Sequence, residues 1–193
     1  MISSYLVTFT LAWIILDVKR YSHRVERTAQ ARDEVDDLVA AWHAERPDLD
    51  VQPMQVLSRV ARLARHLDRA RRSAFAAHGL EPWEFDVLAA LRRQGPPYEL
   101  SPGALLHTTL VTSGTMTNRL DRLEQAGLVR RRPDPEDKRR VRVTLTAAGR
   151  SRADDALAAL LAAEQALLAT LPEGGRQALA DLLRVLLVPL DGS

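Results

Sequence analysis

The apolar periodicity changes partway through the segment Val111–Leu145, and this change constrains the fold more than any other feature of the sequence. In its first half, three apolar residues recur at i, i+4 and i+7, which predicts a helix with one buried face: Met116, Leu120 and Leu123. Ser113 or Thr112 can cap the N-terminus of this helix, and Gly127 ends it.

The second half of the segment alternates in the manner of β-strands. Val129–Arg132 and Arg140–Leu145 are predicted strands, and the sequence PDPEDK between them carries the prolines and acidic residues of a turn. A short helix followed by a basic β-hairpin is the winged form of the helix-turn-helix, which places a helix in the major groove of DNA and an arginine-bearing tip beside it. The segment therefore predicts a protein that binds double-stranded DNA.

Positive charge is concentrated in the same part of the chain. The whole protein carries a net charge of only +2, but Arg119–Arg152 contains eleven Arg and Lys against five Asp and Glu, a net of +6. Glu26–Asp50 contains eight acidic residues against three arginines, a net of −5. This segregation favours a polyanion-binding surface at the basic end. The alternative is that Arg130, Arg131 and Arg132 only solvate a strand and a turn.

The rest of the chain has a helical pattern. Helices are predicted at Val25–Glu45, Met54–His78, Pro82 to about Leu91, Pro102–Leu110, Ala147–Leu171 and Pro172 to about Leu187. The fold class that follows is mainly α with a small β-wing, in which a winged helix-turn-helix lobe is carried on a helical dimerisation scaffold. We expect dimerisation helices with a candidate ligand pocket at 25–79, the winged lobe at 80–146 and C-terminal dimerisation helices at 147–193.

The first 24 residues form an apolar leader whose role the sequence leaves open. The run MISSYLVTFTLAWIIL is shorter than a membrane span and lacks the basic region and cleavage site of a signal peptide. It is a dispensable leader, an extra helix packed on the dimer, or an anchor with basic residues on its inner side: Lys19, Arg20, Arg24 and Arg27. We expect a cytoplasmic protein without membrane association.

An apolar stripe on the last predicted helix requires burial. It consists of five leucines: Leu179, Leu182, Leu183, Leu186 and Leu187. Burial inside one subunit is one alternative, and a two-fold dimer is the other. We expect a homodimer, because an operator with two half-sites is bound by two recognition helices, one from each subunit.

Other functional classes find no support in the residues. The chain has no cysteine, which excludes thiolate metal sites and thiol redox sensing. Its five histidines show no metal-ligand spacing, and the sequence has no glycine-rich phosphate loop, nucleophile elbow or paired-carboxylate motif. We expect neither an enzyme activity nor a metal or cofactor.

From about Asp33 to Leu187 the sequence resembles MarR-type transcriptional regulators. The most telling parts are TNRLDRLEQAGLV, at the end of the predicted recognition helix, and the turn DPEDKRR followed by VTLTAAG. The family's D-x-R wing motif falls on Asp137 and Arg139. The resemblance implies a triangular dimer with interlocked terminal helices and a winged lobe on each lower corner, and a repressor of a neighbouring gene.

A narrower resemblance links AAWHAERPDLD and HGLEPWEFDVLAALRRQG to the urate-responsive branch of that family, which has an extra N-terminal helix. The residues tied to ligand response in that branch match Trp42, Asp86 and Arg119. We expect Asp86 to pair with Arg119, and a small anionic effector such as urate, another purine or trans-aconitate to compete for Arg119 while Trp42 stacks on it. The structural alternatives are a core anchor for Trp42 and a structural salt bridge for Asp86. The functional alternative is a regulator or architectural protein without small-molecule control.

The predicted DNA contacts lie on the exposed face of the recognition helix and at the wing tip. They are Ser113, Thr115, Thr117, Asn118, Arg119 and Arg122 on the helix, and Lys138, Arg139 and Arg140 on the wing. Short polar side chains and arginines reach base edges or phosphates, and a helix N-terminus favours a phosphate. Arg139 is the expected minor-groove contact, and Asp137 is expected to hold an arginine in place. Ordinary surface helices also carry such residues, so any one of them can be a bystander.

Overall fold

The computed structural model describes residues 31–109, 113–135, 137 and 139–191. The elements in chain order are α1 (Glu34–Glu45), α2 (Gln52–Ala76), α3 (Pro82–Arg93), β1 (Glu99–Leu100), α4 (Pro102–Thr109), α5 (Ser113–Gln125), β2 (Val129–Pro133), β3 (Val141–Leu145), α6 (Ala147–Leu168) and α7 (Gly175–Asp191). The predicted fold class, mainly helical with a small β-wing, is confirmed. The apolar leader lies outside the described residues. In the part of the chain that is described, no helix is both long and apolar enough to cross a membrane.

The chain divides into two compact units. The first contains the described residues 31–64 and 166–191, and the second contains residues 65–165. The winged lobe predicted for residues 80–146 therefore falls within the second unit, which also takes the C-terminal part of α2 and most of α6.

In the first unit, a capping network begins α1 and ties it to α2. The Asp33 carboxylate accepts hydrogen bonds from the N–H groups of Val35 and Asp36 at 2.8 and 3.1 Å, and the Asp36 carboxylate accepts from the Asp33 N–H at 2.9 Å. Arg59 of α2 donates to both carboxylates at 2.8–3.0 Å. Arg59 therefore neutralises part of the negative charge of the acidic segment within the first unit.

This cap corrects the predicted start of the first helix. The expectation was one helix from Val25 to Glu45, but residues 31–33 are not helical and the helix begins at Glu34. An aspartate at an N-cap satisfies amides that would otherwise lack partners, which fixes the helix start at that point. The apolar periodicity that suggested a longer helix carries no information about such a cap.

The hydrophobic core of the second unit joins α2 to α6 around the sheet. Phe75 of α2 stacks on Phe85 of α3 with ring centroids 4.1 Å apart. The largest side chains that are fully buried in this core are Phe75, Val87, Leu88, Leu91, Leu105, Met116, Leu120, Leu123, Leu128 and Val143. Each of the helices α3 to α5 contributes one apolar face, so the core holds these three helices in a fixed arrangement with the hairpin.

The sheet has three antiparallel strands in the order β1–β3–β2. The two predicted strands are present, with Val129 opposite Leu145 and Arg131 opposite Val143. The third strand, β1, was not predicted, because two residues are too short to show an alternating pattern. It pairs with β3 through Glu99 opposite Thr144, and so anchors the base of the hairpin.

The junction between the hairpin and α6 is tightly packed. Thr146 caps α6 as predicted: its hydroxyl accepts from the Gly149 N–H at 3.0 Å and donates to the Gly127 carbonyl at 2.8 Å. Gly127 has a φ of +71°, so this turn from α5 to β2 uses the left-handed region that glycine adopts at low cost. A Cβ at Gly149 would lie 2.0 Å from the carbonyl oxygen of Leu128, so α6 approaches the chain here more closely than a side chain allows.

The C-terminal helix α7 begins later and ends later than predicted. Pro172 was expected to open it, but the helix begins at Gly175 and continues past Pro189 to Asp191. Large apolar residues of α7 are 50–71% exposed in the single chain: Leu182, Val185, Leu186, Leu187, Val188 and Leu190. Of the five leucines in the predicted stripe, Leu182, Leu186 and Leu187 are thus exposed, whereas Leu179 and Leu183 are partly buried, so within the described residues one subunit does not fully bury the stripe.

Candidate nucleic-acid interface

The recognition helix α5 has one buried face and one exposed face. Met116, Leu120 and Leu123 are at most 1% exposed, as the periodicity predicted. On the opposite side, the residues whose side chains are exposed include three of the predicted DNA contacts: Thr115, Thr117 and Asn118. Ser113 begins the helix, but its side chain lies outside the described residues, as does Lys138. The helix therefore presents short polar groups to solvent from a rigidly packed base.

The two arginines of α5 lie against Trp83 at the beginning of α3. The guanidinium carbons of Arg119 and Arg122 lie 5.2 and 4.8 Å from the centre of the Trp83 rings, within range of a cation–π interaction. The Trp83 indole N–H donates to Glu81 at 2.5 Å, and Arg122 donates to the other oxygen of Glu81 at 3.1 Å. These two hydrogen bonds, from Trp83 first and then Arg122, lower the pKa of Glu81 below its usual value.

The wing tip carries the most exposed cations of the site. The Arg139 side chain is 92% exposed, and that of Arg140 is also largely exposed. Asp137 accepts from the backbone N–H of Arg139 at 3.1 Å and from its Nε at 3.2 Å, and lies 3.5 Å from Nε of Arg140. Asp137 therefore organises the tip from within, as the sequence led us to expect, while both guanidinium groups remain accessible to a polyanion.

Unlike the arginines at the tip, Arg131 of β2 binds carboxylates inside the lobe. Nη2 of Arg131 lies 2.7 Å from both Asp121 and Glu124 of α5, and its backbone N–H donates to Glu124 at 2.7 Å. These bonds hold the pKa of Glu124 below its usual value, the backbone bond contributing most. Arg131 thus joins β2 to the recognition helix rather than solvating a strand. Arg130, its neighbour, is exposed.

Two buried carboxylates hold the base of the wing. Glu99 on β1 accepts from Arg132 at 2.6 Å and from the Thr144 hydroxyl at 2.7 Å. Burial raises the pKa of Glu99, but the hydrogen bonds from Thr144 and Arg132 outweigh it, so the pKa lies below its usual value. Asp134, whose side chain is 5% exposed, accepts from Arg142 at 2.5 Å. Part of the basic segment is therefore neutralised by its own acids, while Arg139 and Arg140 at the tip remain largely exposed.

The three predicted ligand residues are not assembled as expected. Asp86 pairs with Arg71 of α2, Oδ1 to Nη2, at 3.0 Å, and within the described residues it makes no ion pair with Arg119. The expected Asp86–Arg119 pair is wrong for this structure, because Arg119 lies on Trp83, one helical turn before Asp86, and Arg71 reaches Asp86 instead. The alternative of a structural salt bridge at Asp86 is the one observed.

Trp42 belongs to the first unit and is 47% exposed on α1, so it is not a core anchor within one chain. Nearby, α1 and the start of α2 line a groove of about 500 Å³ with mixed apolar and polar residues, which include Val39, His43, Leu49, Gln52 and Gln55. Within the described part of the chain, no cluster of three or more His, Asp or Glu residues is placed to hold a metal ion.

Several residues that shape the site were missed by sequence reasoning. Trp83 and Glu81 lie in a stretch that was noted for its helical pattern and its family resemblance but were themselves assigned no role, and neither were Glu99 and Asp134. A tryptophan at the second position of a short helix is a signal, since so large an aromatic residue requires a partner. Its partners are about 36 and 39 residues away in sequence, so only the fold identifies them.

Comparison with known proteins agrees with this geometry. The sequence profile of the MarR family matches residues 78–140, which span α3 to the wing tip. The HTH-type transcriptional regulator PecS of Dickeya dadantii is 47% identical over 116 residues, which cover 60% of this chain and 70% of that protein. A crystal structure of mutant MarR from E. coli complexed with operator DNA has a TM-score of 0.58 and 27% identity, and the match covers 72% of this chain and 99% of that one.

A third similar structure is that of Bordetella bronchiseptica BpsR, a protein whose DNA binding is regulated by 6-hydroxynicotinic acid. Its TM-score is 0.51 at 28% identity, and the match covers 66% of this chain and 91% of that one. These proteins are regulators, so the expectation of a transcriptional regulator rather than an enzyme is confirmed. The buried face of α5, the three-stranded wing and the PecS similarity all lead to one assignment: the chain belongs to the MarR family of winged helix-turn-helix transcriptional regulators.

Proposed function

We propose that the protein is a homodimeric repressor that binds a pseudopalindromic operator in double-stranded DNA and is released from it by a small anionic metabolite. The observation that carries this proposal is the arrangement of the second unit. An exposed polar face on α5 and a highly exposed arginine tip belong to one rigidly packed lobe. A related protein with the same fold was crystallised with operator DNA.

Base contacts are assigned to α5 and groove or phosphate contacts to the wing. The side chains of Thr115, Thr117 and Asn118 are short, exposed and carried on a helix that the core holds fixed. Such groups can read base edges in the major groove, where each base pair presents a distinct hydrogen-bonding pattern. Arg139 and Arg140 reach the minor groove or the sugar–phosphate backbone. Ser113 and Lys138 remain proposed contacts on sequence grounds alone.

The dimer follows from the exposed apolar face of α7. Monomeric proteins rarely expose continuous apolar patches of this kind, and a two-fold pairing of the same face buries it on both copies. Two copies of α5 would then meet two half-sites one helical turn apart. A dimer would therefore bury the apolar face, and it predicts a pseudopalindromic operator.

Release by an anionic effector is the finer part of the proposal. Arg119 lies between the DNA-reading face of α5 and α3, where an anion that binds it would compete with the DNA phosphates. Asp86, on the same helix as Trp83, would be repelled by that anion, and Trp42 remains a proposed effector contact on sequence grounds alone. The relative whose DNA binding is regulated by an aromatic carboxylic acid supports an effector of this class.

A selection from random duplex DNA followed by binding titrations tests the proposal. The purified chain is expected to enrich a two-fold symmetric sequence, and to bind it at least about 10³ times more tightly than scrambled duplex at physiological salt. Arg139→Ala is expected to weaken operator binding about tenfold and to reduce the salt dependence. Arg46→Ala is the matched control: it also removes one exposed arginine, which pairs with Asp48 in the first unit and is not among the proposed DNA contacts, and should change neither quantity.

The effector is tested on the same complex. Urate, xanthine, trans-aconitate and 6-hydroxynicotinate are titrated against the operator complex in a gel-shift assay, with uncharged adenosine as the control. Dissociation by at least one of the anions and not by adenosine is expected. If none of them weakens binding, the alternative of a regulator without control by these metabolites is correct, and DNA binding itself stands.

A further inference from the structure

We propose that Trp83 is a positioning residue for operator binding, which holds Arg119 and Arg122 of the recognition helix in place for contact with DNA. The inference rests on the proposed DNA binding by α5. It concerns a residue of α3 that lies in neither the recognition helix nor the wing.

The Trp83 ring contacts two arginines of α5. The guanidinium carbons of Arg119 and Arg122 lie 5.2 and 4.8 Å from the centre of the Trp83 rings. These arginines are three residues apart and so lie on neighbouring turns of the same side of α5. Trp83 is itself partly buried against the core, which gives both cations a fixed platform.

Glu81 fixes the orientation of that platform. The indole N–H of Trp83 donates to one carboxylate oxygen of Glu81 at 2.5 Å, and Arg122 donates to the other oxygen at 3.1 Å. Glu81 also begins α3 through a capping box, in which its backbone N–H donates to Glu84 at 2.9 Å. The backbone that carries the orienting carboxylate is thus fixed at the start of α3.

Stacking of this kind positions a guanidinium group without consuming it. A cation–π contact attracts the charge of the group without using its five N–H donors as hydrogen-bond partners, so these donors stay available to other acceptors. Glu81 takes a bond from one nitrogen of Arg122, and the side chain of Arg122 remains 52% exposed. A long side chain that is already ordered loses less freedom when it meets a phosphate or a guanine, so affinity rises without a new contact to DNA.

A double-mutant cycle tests this role with the full-length protein and the operator obtained by selection. Trp83→Leu keeps an apolar side chain but removes the ring, and is expected to weaken operator binding about tenfold. Trp83→Phe keeps a weaker aromatic face and should lose about threefold. In a background that already carries Arg119→Ala and Arg122→Ala, Trp83→Leu should have no further effect, because its only route to the DNA is gone.

Two results would overturn the proposal. One is an equal loss from Trp83→Leu in both backgrounds, which indicates general disturbance of α5. The other is unchanged or tighter binding by Trp83→Leu, which would mean that the ring only packs helices or sequesters the arginines from DNA. Thermal unfolding of each variant checks the fold, and if the leucine variant does not unfold cooperatively, the same cycle with Trp83→Met decides. Failure of the wild-type protein to bind the selected duplex would refute the proposed function instead.

Discussion

Replacing Gly149 by alanine is expected to destabilise the protein, although alanine is the better helix former. A Cβ at this position would lie 2.0 Å from the carbonyl oxygen of Leu128, 2.9 Å from its carbonyl carbon and 2.9 Å from Cδ1 of Leu145. Bringing the closest contact to a tolerable distance requires the start of α6 to move away from Leu128 by about 1 Å. That shift would strain the Thr146 cap, whose hydroxyl bonds both sides of the junction.

The net cost can be worked out from two opposing effects. Overpacking typically costs about 1–3 kcal/mol, and the upper end applies here because the obstacle is backbone rather than a flexible side chain. Alanine in place of glycine stabilises the helix by about 1 kcal/mol, because alanine has the higher helix propensity. A net loss of about 2 kcal/mol follows, which lowers the melting temperature of a chain of this size by about 4–8 °C.

Gly103→Ala is the matched control for this substitution. Gly103 is also near the start of a helix, but its nearest neighbour to an added Cβ is the Ser101 hydroxyl at 3.9 Å. This variant should be as stable as the wild type or more so, by about 0.4–1 kcal/mol. Thermal unfolding by circular dichroism at one fixed protein concentration compares the three proteins. Equal melting temperatures for Gly149→Ala and Gly103→Ala would refute the close approach of α6 to Leu128.

Three further predictions concern reading, pH and assembly. Asn118→Ala should reduce the affinity ratio between operator and single-base variants by about 1–3 kcal/mol at one position, with little change in binding to random DNA, as measured by fluorescence anisotropy. The lowered pKa of Glu124 means that its bonds to Arg131 stabilise the lobe above its ordinary pKa of 4.5 and lose that effect as the pH falls through the lowered value. Glu124→Gln should therefore be less stable than the wild type at pH 7, and the gap in denaturant unfolding should narrow as the pH falls below the ordinary pKa of 4.5 and through the lowered value; a constant gap would contradict this. Leu186→Asp should convert the dimer to monomers in sedimentation velocity, whereas Arg184→Asp, on the same helix, should remain dimeric if the apolar face forms the interface.

Local patterns predicted most of the winged lobe. The spacing of Met116, Leu120 and Leu123 identified both the recognition helix and its buried face, and Thr146 and Gly127 marked the ends of the neighbouring elements correctly. These features depend on residues within one or two turns, for which periodicity and capping chemistry are direct signals.

Contacts between residues that are far apart along the chain could not be predicted from the sequence. The two-residue strand β1 exists because Glu99 pairs with β3 some 45 residues later, and two residues show no alternation. Asp86 was expected to pair with Arg119 and pairs with Arg71 instead, because sequence patterns do not show which basic residue of another helix lies closest to it. The same holds for Trp83, whose role depends on where α5 packs.

The charge pattern was informative only in part. The arginines of the basic segment differ in exposure: Arg131 and Arg142 bind carboxylates inside the lobe, whereas Arg139, although it contacts Asp137, has a side chain that is 92% exposed. A count of charges cannot separate these classes, because an ion pair inside the lobe and a cation at its tip have the same sequence composition. The structure separates the arginines that bind carboxylates of the lobe, such as Arg131, from the highly exposed Arg139 at the wing tip.

The most direct test of the central claim is the affinity of the purified protein for its selected operator and for a scrambled duplex of equal length, each measured by fluorescence anisotropy over a series of salt concentrations. A reader of base edges should keep a ratio of about 10³ or more between the two duplexes at physiological salt, and Arg139→Ala should lower the salt dependence of operator binding by about one phosphate contact for each wing. Equal affinity for the two duplexes, or a salt dependence that is the same with and without Arg139, would contradict the assignment of α5 and the wing as the DNA-reading surface.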